Sequence, residues 1–269
     1  MTDELLSQIR ILEAERILTF EWLDSNIQEQ ELTADGLVRH PLLVMDREDG
    51  SYLLLDDVQQ YHAFIAAGLH HIPVQVCPRR TLRIDVRKVG LVNFHLGDLN
   101  RLTSRHPDQI IPGIRQDVAP ADFVAIEIAF RYREPLTLFL RHSTKLGCPA
   151  PLTLLFESIL QVGRYMPVVT RHHWRDAVCR AVPHSGTLSL PPFALADMEA
   201  AATTERLFPP NIIKAGTNVR VLNIDFPITV LRDDIPPSEK ESFLRELIVV
   251  REQSYRTSFF EGSIYILNR

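Results

Sequence analysis

Cysteine is scarce and scattered here: Cys77, Cys148 and Cys179 are the three among 269 residues, and no CxxC pair occurs. That usage excludes a disulfide framework and a structural zinc site, and it fits a reducing compartment. Long apolar runs are also lacking. None approaches the roughly 20 residues that span a bilayer. The N-terminal "MTDELLSQIRILEAERI" carries acids where a signal peptide carries basic residues. The expectation is a soluble protein of the cytoplasm, with no membrane partner. Excess positive charge is missing too: the formal net charge is −5. No global basic field therefore exists to attract nucleic acid. The GxxxxGK[ST] and strand-following GxGxxG signatures are absent, which disfavours P-loop and Rossmann sites. The absence of GxSxG does the same for a serine hydrolase. The histidine pairs His70–His71 and His172–His173 are adjacent, whereas two ligands on one helix face need spacing of three or four, so neither pair reads as a metal site.

What is present supports one large domain or two modest ones, since 45% of the residues are hydrophobic. Leu5, Leu6, Ile9, Leu12 and Arg16 fall at helical spacing behind Thr2 and Asp3, which predicts an amphipathic helix over 3–16. "HPLLVMDREDGSYLLLD" gives two β-rich runs, Leu42 to Met45 and Tyr52 to Leu55, around an Asp/Gly turn, a hairpin signal. Val58, Tyr61, Ile65 and Leu69 then follow at helical spacing, Gly68 closes that helix, and "IPVQV" is the next strand. Prolines at 107, 112 and 120 punctuate 104–121 and suggest a boundary or a long excursion. Beyond it, "DFVAIEIAFRY" reads as strand, "PLTLLFESILQVGRY" and "HHWRDAVCRAV" as helices, and "NVRVLNIDFPITVL" as strand. "PPSEKESFLRELIVVREQS" is a helix opened by Pro and Ser, and "GSIYILNR" is a closing strand. No internal repeat is visible.

In "SYLLLDDVQQYHAFIAAGLHHIPVQV", residues 51–76, Asp56 and Asp57 stand where strand gives way to helix. A helix N-terminus offers free N–H groups and partial positive charge, which suit a capping carboxylate or a phosphate. In the plainer reading one Asp is simply an N-cap. In the functional one, the second carboxylate acts as a base or holds the Mg²⁺ of a bound nucleotide.

The run "GLVRHPLLVMDREDGSYLLLDDVQQYHAFIAAGLHHIPVQV" resembles the ParB/sulfiredoxin-like fold, and within it the free L-serine kinases, archaeal ADP-dependent and staphylococcal. In those proteins "RHP" leads a strand, a hairpin follows, and the next strand ends in "DG-x-HR" opening a helix. "NIIKAGTNVRVLNIDFPITVL" is similar to their last segment, while 80–180 is only weakly similar. The resemblance implies an α+β protein. Its parts would be a ParB/sulfiredoxin-like domain over 1–80 and a second α/β domain over 81–269 that packs against it and completes a cleft. It implies a catalytic role for Glu21, otherwise a solvated surface acid, and for Asp56, the acid of "DG-x-HR". It also implies nucleotide or substrate binding by Arg39, His40, Asp57, Val58, Gln59, Gln60 and Lys214. Lys214 stands where the family has an Arg, keeping the charge and losing the bidentate fork. ATP or ADP with Mg²⁺ held through Asp56 and Asp57 would be the cofactor.

The departures carry as much information. Family Gly is Asp57 here, family His is Gln59 and family Arg is Gln60. Two groups able to carry positive charge have become neutral amides, and a neutral position has become an anion. Two unit charges at 4 Å interact by about 4 kcal/mol at an effective dielectric of about 20, so this shift opposes nucleotide phosphates appreciably. ATP or ADP binding is therefore expected to be weakened unless Mg²⁺ bridges Asp56, Asp57 and the phosphates or another Arg reaches in, for which Arg79, Arg80, Arg115 and Arg180 are the candidates. Two functions follow: a nucleotide-dependent kinase acting on the hydroxyl of serine or a related amino acid, or a degenerate kinase-like protein that binds a nucleotide or metabolite as a regulator. DNA binding ranks third, because the chain is acidic and lacks a helix-turn-helix after the core.

Overall fold

The computed structural model describes residues 3–23, 36–113, 123–130, 133–141, 148–167, 185–204, 206–253, 257–260 and 264–267. The chain forms two compact units: the first combines 1–83 with 215–269, and the second spans 84–214.

The first unit opens with α1 (Asp3–Gln8), which gives way to β1 (Ile9–Glu13), so the helix expected over 3–16 ends at Gln8. Ile9, Ile11 and Leu12 are buried while Arg10 and Glu13 are exposed, the near-alternation of an edge strand. Ile9 and Leu12, three apart, fit one helix face, whereas Ile9 and Ile11, two apart, share a strand face, and pairing with a neighbouring strand selects the strand. β2 (Ile17–Leu18) and β3 (Leu37–Val38) follow. The expected hairpin is β4 (Leu42–Asp46) and β5 (Tyr52–Leu54), in antiparallel register with Val44 opposite Leu54. Next come α2 (Val58–Ala66) and β6 (His71–Val76), with Gly68 at φ +72° in the turn between them. In α2 the buried side chains are Val58 and Phe64, whereas Ile65, expected inward, is exposed. These strands make one sheet in the order β1-β6-β4-β5-β2, with β2 parallel to β5 and β6 parallel to β4.

β7 (Arg83–Val86) carries the chain out of the first unit. The second unit holds β8 (Val89–Val92), α3 (Leu96–Arg105), β9 (Ile110–Gly113), β10 (Phe123–Phe130), β11 (Leu136–Arg141), α4 (Ala150–Val162), β12 (Arg164–Pro167), β13 (Gly186–Ser189) and α5 (Leu195–Thr204). Six of its strands form an antiparallel sheet in the order β12-β8-β13-β10-β11-β9. Leu152, Leu155, Phe156 and Ile159 of α4 are buried at helical spacing. The expected break over 104–121 falls inside this unit and contains the end of α3 and all of β9, and the division lies instead near residue 83. Cys77 and Cys148 are free and buried, and burial pushes the Cys148 thiol up to about 12. "HHWRDAVCRAV" lies outside the described residues.

β14 (Ile213–Gly216) returns the chain to the first unit. The expected strand "NVRVLNIDFPITVL" is four pieces: β15 (Arg220–Leu222), a turn, β16 (Phe226–Pro227) and α6 (Ile228–Arg232). Pro227 stands as the N-cap of α6, so the β-branched "ITV" that reads as strand is helical. α7 (Pro237–Gln253), β17 (Thr257–Phe260) and β18 (Ile264–Leu267) complete the chain. The sequence reading puts this segment in a domain starting at residue 81. Its buried side chains place it elsewhere: Val221, Ile224, Phe226, Leu244 and Ile248 share one core with Ile9, Leu42, Leu54, Phe64 and Val74. Among the described residues no helix is long and apolar enough to cross a membrane.

Candidate active site

Strand register gathers the predicted residues of the first unit at one end of its sheet. β2 and β5 run parallel with Leu18 opposite Leu53, so Glu21 and Asp56 each stand three residues beyond that pair. β4 is antiparallel to β5 and begins at this same end, which brings Arg39, His40 and Pro41 to it. The Tyr61 hydroxyl of α2 donates to the carbonyls of Ala14 (3.1 Å) and Ile17 (3.2 Å), pinning the segment that leads into Glu21. Glu21 itself is buried, 9% exposed, and so is not the solvated surface acid that its sequence context suggests.

The two adjacent carboxylates divide their tasks. Asp57 is the N-cap of α2: its side chain accepts the Gln60 N–H at 3.0 Å, and its backbone is left-handed, φ 50° and ψ 54°. Glycine occupies such a conformation most readily, and Asp and Asn are the side-chain-bearing residues that tolerate it best. Asp56 faces the other way. Its Oδ1 accepts the Leu43 N–H at 2.7 Å, closing the β4–β5 junction, and its Oδ2 lies 2.6 Å from Arg220 Nη2. That same nitrogen donates to the Pro41 carbonyl at 2.8 Å. Arg220 Nη1 is buried with no hydrogen-bond partner among the described residues. Burial pushes the Asp56 carboxyl up, and Asp57 adds to the rise, against the opposing pull of Arg220 and the Leu43 N–H.

Around this pair the segment 219–226 lies along 39–43. The Asn223 N–H donates to His40 Nδ1 (3.2 Å) and the Ile224 N–H to the Arg39 carbonyl (2.7 Å). Asp225 bridges Arg39 and Arg251 at 3.7 and 3.3 Å. The buried Gln75 amide grips the strap from behind, donating to the Val219 carbonyl and accepting the Val221 N–H. Burial, with Arg220 and Arg39, holds the His40 imidazole below its usual range against the pull of Asp225 and Asp57.

No protein-family profile matches the sequence. Over 57 residues the chain is 37% identical to the ATP-dependent L-serine kinase SbnI of Staphylococcus aureus, a match covering 21% of this chain and 22% of that protein. The structure superposes on SbnI with a C-terminal truncation from Staphylococcus aureus at a TM-score of 0.73 and 16% identity, over 93% of this chain and all of the other. It also superposes on a variant free serine kinase in complex with ADP at a TM-score of 0.61 and 10% identity, over 83% and 94% of the two chains. The chain has the fold of the free serine kinases. The resemblance read from "RHP" and the hairpin-helix-strand run therefore holds for the fold, and the mixed α and β content is as expected.

Against that fold the predicted residues sort clearly. Glu21, Arg39, His40, Asp56 and Asp57 come to one end of the first unit's sheet, and Gln59 and Gln60 form the first turn of α2, both half-buried. Val58 joins the core, so its side chain has no binding role and only its backbone belongs to the helix start. Lys214 is an exposed residue of β14 at the end of the second unit. Asp56 and Asp57 make a poor metal pair, because Asp56 has both oxygens engaged and a guanidinium against one of them. Among the described residues no group of three or more His, Cys, Asp or Glu side chains could hold a metal ion. The cation on Asp56 is Arg220, which the sequence reading passed over as part of a strand. Arg115 and Arg180 lie outside the described residues. The available signal was an arginine between Val219 and Val221, where strand alternation turns it off the core face.

Proposed function

We propose that this protein is a nucleotide-dependent small-molecule kinase that phosphorylates the hydroxyl of free serine or a related amino acid. The observation that carries the reading is the Arg220 guanidinium held by Asp56 beside the start of α2, on the fold shared with the free serine kinases. The relatives give the class of ligand: SbnI is an ATP-dependent L-serine kinase, and the free serine kinase was solved with ADP.

In this scheme the nucleotide phosphates dock on the first turn of α2, where the Asp57 cap takes the Gln60 N–H and the N–H groups of Val58 and Gln59 have no partner within the helix. Arg220 and Arg39 balance the charge that builds on the transferred group, the main requirement of phosphoryl transfer. Glu21 takes the hydroxyl proton as the acceptor oxygen bonds to phosphorus and the bridging P–O bond of the nucleotide breaks. Asp56 holds Arg220 in position and binds no metal. Magnesium would enter with the nucleotide, and no step depends on its coordination by this pair.

Calorimetric titration with ATP and ADP, each with and without Mg²⁺, tests the reading, followed by an assay for phosphoserine. Binding of one nucleotide and phosphoserine production are expected. Absence of binding under every condition defeats the kinase assignment. Binding without transfer to serine or other hydroxy amino acids selects the degenerate, ligand-sensing alternative that Asp57, Gln59 and Gln60 favour.

A further inference from the structure

The turn between β15 and β16 carries two non-glycine residues in the left-handed region, Asn223 at φ 57° and Asp225 at φ 44°, with buried Ile224 between them. Each such residue opposes the normal steric preference of an L-amino acid, and it persists where the surroundings over-determine it. The surroundings here are specific. Arg251 Nη1, from α7, donates to the Asn223 carbonyl at 2.8 Å and lies 3.3 Å from Asp225 Oδ2. The Asp225 side chain is 2% exposed, and its other oxygen is 3.7 Å from Arg39 Nη1. The Ile224 side chain sits in the core while its N–H holds the Arg39 carbonyl.

We propose that Asp225 is a positioning residue of this site: it orients Arg39, and the turn it stabilises fixes His40 as the tautomer carrying its proton on Nε2. The tautomer follows from the donor. A backbone N–H pointing at Nδ1 requires that nitrogen to accept, which leaves the proton of the neutral ring on Nε2. Nε2 has no hydrogen-bond partner among the described residues, so the site presents a neutral N–H donor beside two guanidinium groups. Such a donor suits an anionic oxygen, whether phosphate or amino-acid carboxylate. The burial and the cations that lower the proton affinity of His40 act in the same direction. What the site does rests on the kinase reading above, whereas the tautomer does not.

Nitrogen-15 spectra of histidine-labelled protein at pH 7 read the ring directly. His40 is expected with an unprotonated Nδ1 and a protonated Nε2, and a proton on Nδ1 or a charged ring overturns the proposal. Asp225→Asn keeps a residue that tolerates the left-handed backbone and removes the carboxylate charge. It is expected to mix the two tautomers and to raise the KM of one anionic substrate about tenfold with kcat nearly unchanged. Adding ADP alone and then serine alone shows which of them moves the Nε2 resonance. A folded Asp225→Asn with wild-type tautomer and KM overturns the proposal. Arg251→Met, which removes the nitrogen that makes both contacts, serves if the first variant does not fold. Loss of the kinase reading would appear as absent transfer in the wild type, and the spectra would still decide this inference.

Discussion

At the scale of single residues, the site depends on a charge pair formed across 164 positions of sequence. Arg220 and Asp56 have side-chain exposures of 18% and 32%, so the pair is only partly screened by water. Arg220→Gln leaves the carboxylate without its cation and is expected to lower stability by about 1–3 kcal/mol. Asp56→Asn should lose less, since its amide oxygen can still accept the Leu43 N–H. Urea unfolding of both variants and of the double mutant measures the coupling, and a double mutant less destabilised than the sum supports the pair. Glu21 and Asp56 were legible through the resemblance, while Arg220 and Asp225 were not. A partner brought in by tertiary folding leaves no period or spacing in the chain, so "NVRVLNID" reads as an ordinary strand.

At the scale of elements, the turn into α2 shows how an acid can occupy a position that calls for a left-handed backbone. The position demands a left-handed backbone, and Asp57 meets that demand while adding a cap bond to Gln60. Asp57→Gly should therefore change stability by less than about 1 kcal/mol, losing the cap but relaxing the backbone. Asp57→Ala loses both advantages and should cost about 1–3 kcal/mol, which thermal or denaturant unfolding would separate. The hairpin 42–54 and α2 were readable because their local periods agree with their packing. β1 was read as helix because Ile9 and Leu12 stand three apart, as on one helix face, and pairing with β6 is what sets Ile9 and Ile11 on a strand face instead. α6 was hidden by β-branched residues that burial of Ile228 and Leu231 overrides.

At the scale of the whole molecule, the C-terminal segment folds back into the first unit, so residues from both ends of the sequence build one site and one core. No local reading could place it there, because its strands and helices look alike in either unit. Three partly buried histidines of the first unit set a pH response. Burial lowers the proton affinities of His40, His62 and His71 below the usual 6.5. Below that pH the unfolded chain binds more protons than the native one, so stability should fall as pH drops through 6.5 toward the native values. Around His40 the charged groups that set this balance are Arg220, Asp225, Arg39 and Asp57. Urea midpoints between pH 7.5 and 5.5 measure the slope, and His40→Asn, which still offers an oxygen acceptor for the Asn223 N–H, should flatten it in part. The proposed phosphoryl transfer with Glu21 as the base is tested by phosphoserine formation from serine and nucleotide by wild type and Glu21→Gln. Transfer by the wild type is expected, with a loss of about 100-fold or more in the variant and nucleotide affinity unchanged between them. Undiminished transfer by a folded Glu21→Gln, or no transfer by a wild type that binds nucleotide, would contradict it.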